Sequence, residues 1–189
     1  FTVPKRIIKI TMFLYEYKME RGIAMDSRVE SYFEDIKGKK IAFLGIGGSN
    51  LPLAKIFRQK GAIVFACDKR EKEQLGKTGE ELEQMGITLK LGEHYLEQLD
   101  VDMMFRTPGM RFHTKELEQA REKGIVVTSE MEVFFDLCPC PIYAVTGSDG
   151  KTTTTTIISE FLKAAGKRIH LGGNIGTPLL PEIEQIDTN

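Results

Sequence analysis

Between residues 26 and 138 short apolar runs alternate with amphipathic stretches. The runs are Ile41-Ala-Phe-Leu44, Ala62-Ile-Val-Phe-Ala-Cys67, Ile87–Leu91, Val101-Asp-Met-Met-Phe105 and Ile125–Thr128. The first two, apolar throughout, predict parallel strands covered on both faces, and the other three predict further short strands. The stretches between them predict helices. Val29, Tyr32, Phe33 and Ile36 fall at helical spacing over Ser27–Ile36, and Leu53, Ile56 and Phe57 do so over Leu51–Gln59. Glu71–Met85 reads as one charged helix, Thr114–Lys123 as another, and a third opens at Ser129 with Val133, Phe134 and Phe135 facing inward. Ser27 with Glu30, and Ser129 with Glu132, have the spacing of capping boxes. Strand and helix alternating in this way specify an α/β domain, a doubly wound parallel sheet of Rossmann-like type.

Pro139 and Pro141 mark a boundary, after which a second α/β unit begins. It reads as strand Ile142–Val145, a glycine loop, a helix through Ile157–Ala165, strand Arg168–Leu171 and a further loop, Gly172-Gly-Asn-Ile-Gly-Thr-Pro178. One such unit does not cover both faces of a sheet. The expected organisation is an extension over 1–25, a Rossmann-like domain over 26–138, and the incomplete start of a P-loop ATPase domain over 139–189.

The loop Gly147-Ser148-Asp149-Gly150-Lys151-Thr152-Thr153 carries the clearest chemistry. It lies between a strand and a helix N-terminus, where unpaired amides and the helix dipole favour a phosphate. Lys151 adds a mobile positive charge for the outer phosphates of ATP, and Thr152 offers a hydroxyl to Mg²⁺. The pattern is a short GxxGKT, with Val145 where the general phosphate loop has its first glycine. Five threonines, Thr152 to Thr156, open the helix despite their low helix propensity, which suits hydroxyls directed at an anion and its metal.

A second glycine loop, Gly45-Ile-Gly47-Gly48-Ser49-Asn50, follows the first strand. Asp68-Lys69-Arg70 closes the next strand, placing an acidic residue near the spacing of the dinucleotide fingerprint. The last glycine of that fingerprint is replaced by Asn50, so a nucleotide other than NAD is the better expectation. Thr107-Pro108-Gly109 turns at the carboxyl end of a further strand, where open α/β sheets bind ligands.

Composition narrows the partners. A net charge of −1 makes no case for nucleic acid or an acidic membrane. Three cysteines, Cys67, Cys138 and Cys140, are too few for a disulfide framework and suit a reducing cytoplasm; Cys138-Pro-Cys140 reads as packing. The apolar stretch Ile10–Tyr15 is far shorter than the ~20 residues that span a bilayer. The residues before Met19 are expected to be weakly ordered or extraneous. Oligomeric state is not legible in the sequence.

Taken together, Val145–Thr153, Gly45–Asn50, Asp68–Arg70, Thr107–Gly109, Ser129-Glu-Met-Glu-Val-Phe134 and Gly172–Gly176 resemble the Mur ligases, the amide-forming enzymes of peptidoglycan synthesis. The resemblance runs from about Lys39 to Pro178. It implies a cytoplasmic, ATP- and Mg²⁺-dependent ligase joining D-glutamate to UDP-N-acetylmuramoyl-L-alanine through an acyl phosphate. It also implies that Gly47, Ser49 and Asn50 border the UDP diphosphate, that Asp68, Lys69 and Arg70 contact the uridine, and that Thr107, Pro108 and Gly109 line the other side. By the same resemblance Lys151 acts in catalysis and Asn174 orients the muramoyl substrate. Asp149 stands where relatives carry Asn or His, and no role follows for it. The remaining metal-site residues and a C-terminal domain would lie past Asn189, so this stretch alone is expected to be inactive. A sister ligase using another amino acid, or a non-catalytic nucleotide-binding module, is the alternative.

Overall fold

A computed structural model describes residues 26–173 and 177–186. The expectations for residues 1–25 and for Asn174 lie outside the described residues.

Five strands form one sheet: β1 (Lys40–Leu44), β2 (Ile63–Asp68), β3 (Thr88–Leu91), β4 (Met103–Arg106) and β5 (Val126–Ser129). All neighbours are parallel and the order is β3-β2-β1-β4-β5. The order reverses between β1 and β4, which makes that crevice the topological switch point of a doubly wound sheet. The α/β class read from the alternating pattern is the one observed.

The helices are α1 (Asp26–Asp35), α2 (Asn50–Gln59), α3 (Lys72–Leu75), α4 (Lys77–Gln84), α5 (Lys115–Glu122), α6 (Glu130–Leu137) and α7 (Lys151–Ala164). Side chains of a strand alternate between faces, and β1 shows the result. Ile41 and Phe43 enter one apolar layer with Phe33, Phe57 and Phe105, while Ala42 and Leu44 enter the other with Cys67, Met104 and Leu117. Phe43 stacks on Phe105 at 4.9 Å between centroids, and the Phe57 ring meets both edge-on at 5.3 and 5.2 Å. Such contacts add to the area effect by about 0.5–1.5 kcal/mol per pair.

Several local expectations are corrected. Glu71–Met85 is two helices, because Gly76 takes φ 51° and ψ −131°, a conformation that suits glycine and interrupts the helix. Glu71 and Gln74 form a capping box at the first of them. Ser27 is inside α1, not ahead of it, since Asp26 is already helical. Phe135 is exposed, on the outer face of α6. Neither Ile142–Val145 nor Arg168–Leu171 forms a strand; the only pairing there, among the described residues, is an isolated bridge between Gly172 and Thr177. A strand is defined by its ladder partners, and apolar sequence alone does not supply them.

Residues 179–186 return to the core formed by residues 29–137. Leu179, Leu180, Ile183 and Ile186, on and beside a 3₁₀ turn (Leu180–Gln185), are buried in the layer that holds Phe33 and Phe57. Glu130, itself buried at the start of α6, accepts the amides of Leu179 and Leu180 at 2.9 Å each and so fastens that turn.

Candidate functional site

The carboxyl ends of β1, β2 and β4 bring three predicted loops together. Gly45 leaves β1 with φ +86°, and a Cβ there would lie 2.8 Å from Cγ2 of Thr107. Only glycine permits both the conformation and the approach, so the turns after β1 and β4 touch. Gly45 N–H donates to the carbonyl of Cys67, linking the loop to β2 as well. Gly47 and Gly48 are exposed and open, as are Pro108 and Gly109. Ser49 is half-buried at the head of α2, and its hydroxyl makes no capping bond.

Asp68 and Arg70 grip this loop. Asp68 Oδ2 accepts the Ile46 amide at 2.7 Å, and Arg70 Nη2 donates to the Ile46 carbonyl at 2.7 Å. The two side chains also meet each other: Arg70 Nε donates to Asp68 Oδ1 at 3.0 Å, Nη2 donates to Oδ2 at 2.8 Å, and the Arg70 amide donates to Oδ1 at 3.0 Å. Burial alone would raise the Asp68 pKa, but the Arg70 bonds and the Ile46 amide outweigh it and hold the carboxyl at about 2. The aspartate is therefore ionised and already serves as a brace for the loop. Lys69, between them, is exposed.

Asn50, predicted beside the diphosphate, is fully buried at the first position of α2. Its Nδ2 donates to the carbonyls of Leu44 at 3.1 Å and Phe105 at 3.2 Å, the last turns of β1 and β4. Its Oδ1 is buried without a protein partner.

Two side chains at this rim carried no expectation. Tyr95 lies near Asp68; burial, and then that carboxylate, raise its hydroxyl pKa. Arg106, at the end of β4, pairs with Glu132 at 3.2 Å, sits 5.3 Å from the Phe112 ring centre, and keeps a buried Nε without a partner. The sequence signal for Arg106 was a cation at a strand's end directly before Thr-Pro-Gly.

The second loop is laid out differently. Gly150 is left-handed, φ 74°, and caps α7; no atom stands within 4 Å of a Cβ there, so conformation alone calls for glycine. The first intrahelical bond runs from Thr154 to Gly150, which directs the amides of Lys151, Thr152 and Thr153 out of the helix end. Ser148, Asp149, Thr152 and Thr153 are exposed. Lys151 Nζ donates to the carbonyls of Gly147 and Ser148 in its own loop. These features fit a bound triphosphate: an outward amide cluster, a lysine and a solvent-facing hydroxyl. Thr156 departs from the expectation, since its hydroxyl bonds back to the Thr152 carbonyl. Among the described residues no cluster of three or more His, Cys, Asp or Glu is placed to hold a metal. No described helix is long and apolar enough to cross a membrane.

A Rossmann-type sheet with three loops gathered near its switch point is followed along the chain by a short GxxGKT loop at a helix N-terminus. Residues 145–189 match the family model of the Mur ligase middle domain, and the resemblance read from the glycine loops is borne out. The particular relatives are ligases that carry one name. The chain is 49% identical over 163 residues to UDP-N-acetylmuramoylalanine–D-glutamate ligase of Clostridium botulinum, and 51% identical over 163 residues to the enzyme of the same name from Acetivibrio thermocellus. These alignments take in 86% of this chain but 36% and 35% of the relatives, so the chain spans about a third of their length. Among solved structures, a murein peptide ligase from Psychrobacter arcticus aligns with TM-score 0.44 and 26% identity, over 68% of this chain and 27% of that one. A UDP-N-acetylmuramate–alanine ligase from Thermotoga maritima gives TM-score 0.43 and 29% identity, over 68% and 30%.

Proposed function

We propose that this chain is the nucleotide-gripping portion of a cytoplasmic, ATP-dependent ligase that joins D-glutamate to UDP-N-acetylmuramoyl-L-alanine in peptidoglycan synthesis. The observation that carries this reading is the meeting of Gly45, Thr107, Asp68 and Arg70 at the switch point. The open face of Gly47 and Gly48 gives a diphosphate room to approach backbone. Ser49 contributes a hydroxyl, Lys69 a charge, and the Thr107–Gly109 turn the opposite wall. Arg70, whose Nη1 enters none of the bonds to Asp68 or Ile46, presents a donor edge suited to uracil or ribose, and Asp68, with all its acceptor sites taken, holds that edge in place.

ATP with Mg²⁺ would be held by the outward amides of Lys151–Thr153, by the Lys151 ammonium and by the Thr152 hydroxyl. It would pass its γ-phosphoryl group to the alanyl carboxylate, giving an acyl phosphate and ADP; attack by the amine of D-glutamate would then form the amide and release phosphate and a proton. Lys151 offsets the negative charge on the transferred group, which requires it to release its own loop carbonyls. Asn174 is the residue proposed to orient the muramoyl substrate.

Calorimetric titration with UDP and with UDP-N-acetylmuramoyl-L-alanine tests the reading. Saturable binding of both, each displacing the other, is expected. Binding of NAD that neither ligand displaces would replace the ligase assignment with a dinucleotide-binding module.

A further inference from the structure

Asn50 occupies the place where a dinucleotide fingerprint has its third glycine, whose usual task is close packing of helix on strand. Here the helix still packs, because the side chain is taken wholly into the interior. The two groups it meets are both carbonyls, Leu44 at the end of β1 and Phe105 at the end of β4. Two acceptors fix which way the amide faces: nitrogen toward them, Oδ1 away. One side chain thus spans the two strands between which the sheet order reverses. The loops that leave those strands, Gly45–Ser49 and Thr107–Gly109, are the two walls of the crevice, and they touch where Gly45 meets Thr107. Oδ1 remains buried and unpartnered, which a residue chosen for packing alone would avoid.

We propose that Asn50 is a positioning residue, a tie between the ends of β1 and β4 that sets the gap in which the uridine nucleotide is held. This rests on the nucleotide reading of the site, but the tie is measurable without it.

The test uses Asn50→Leu, of similar size with no donor, and Asn50→Asp. UDP affinity is titrated, and amide hydrogen exchange is followed in residues 45–49 and 107–110. Asn50→Leu should weaken UDP binding about tenfold or more, since a lost pair of buried bonds is worth at least one such factor. Exchange should quicken in both loops together and stay unchanged in α5. Asn50→Asp supplies the sign that simple packing does not. Its carboxylate repels the two carbonyls, whereas its protonated form donates to one of them. Affinity relative to wild type at the same pH should therefore recover between about pH 8 and about pH 5, while Asn50→Leu stays flat. If Asn50→Leu does not fold, the Asn50→Asp profile decides alone, and a flat profile overturns the proposal. Wild-type affinity and exchange in Asn50→Leu would overturn it as well. If the wild type itself ignores UDP, the nucleotide reading fails, and loop exchange still judges the tie.

Discussion

Asp68 shows how one carboxylate can brace a loop and an arginine at once. Its pKa falls from 3.8 to about 2 on folding. A carboxyl depressed in this way contributes stability that is complete above its unfolded value and is lost as pH falls through the folded one. The window is therefore from about pH 4 down to about pH 2. The Arg70 side chain is 42% exposed, and solvent screens the pair. The contribution is therefore about 1–2 kcal/mol rather than the full equivalent of the shift. Urea unfolding at stepped pH should show that loss in wild type and a flatter profile in Asp68→Asn. A second residue-level expectation concerns Gly45. Gly45→Ala combines a forbidden φ with a 2.8 Å clash against Thr107 Cγ2, and should cost about 1–3 kcal/mol. Adding Thr107→Ser removes the clashing methyl and should restore part of the loss, not all; full restoration in a denaturant melt would mean that backbone strain is not involved.

Helices and strands were legible in proportion to how locally they are determined. The cap of α6 is local: Ser129 Oγ accepts the Glu132 amide, as the spacing foretold, but the Glu132 carboxylate takes the Ser129 hydroxyl at 2.9 Å, so the reciprocal half of the expected capping box is not formed. Ser129→Ala should lower stability by about 1 kcal/mol, read as a shift of the denaturation midpoint with unchanged m. The break between α3 and α4 was hidden because Gly76 sits inside a run of charged helix formers. Ile142–Val145 has the composition of a strand, yet pairing depends on residues far away in sequence, so the pattern could not announce its absence. Asp68 and the Gly45 loop were foreseen as neighbours from spacing within one βαβ unit. The part played by Asn50 was not, since it depends on two carbonyls 61 positions apart along the chain being side by side in the sheet.

At the scale of the whole molecule, the chain leaves its core after Ile142 and comes back to it at Leu179. The return is secured by Glu130, whose one oxygen serves two amides. Glu130→Ala leaves both donors buried without an acceptor and should cost about 1–3 kcal/mol. Amide exchange over residues 179–186 should accelerate more than in β1 or β4; equal acceleration everywhere would show that the turn is not a separately fastened piece.

The segment between those anchors includes α7, whose Ile157 and Phe161 are exposed, and Tyr143 ahead of it is exposed as well. Because both of its roots are embedded in one body, cutting the segment should not release either half. A protease nick in this excursion is expected to give two bands under denaturing electrophoresis and a single species, with unaltered elution volume, in native gel filtration.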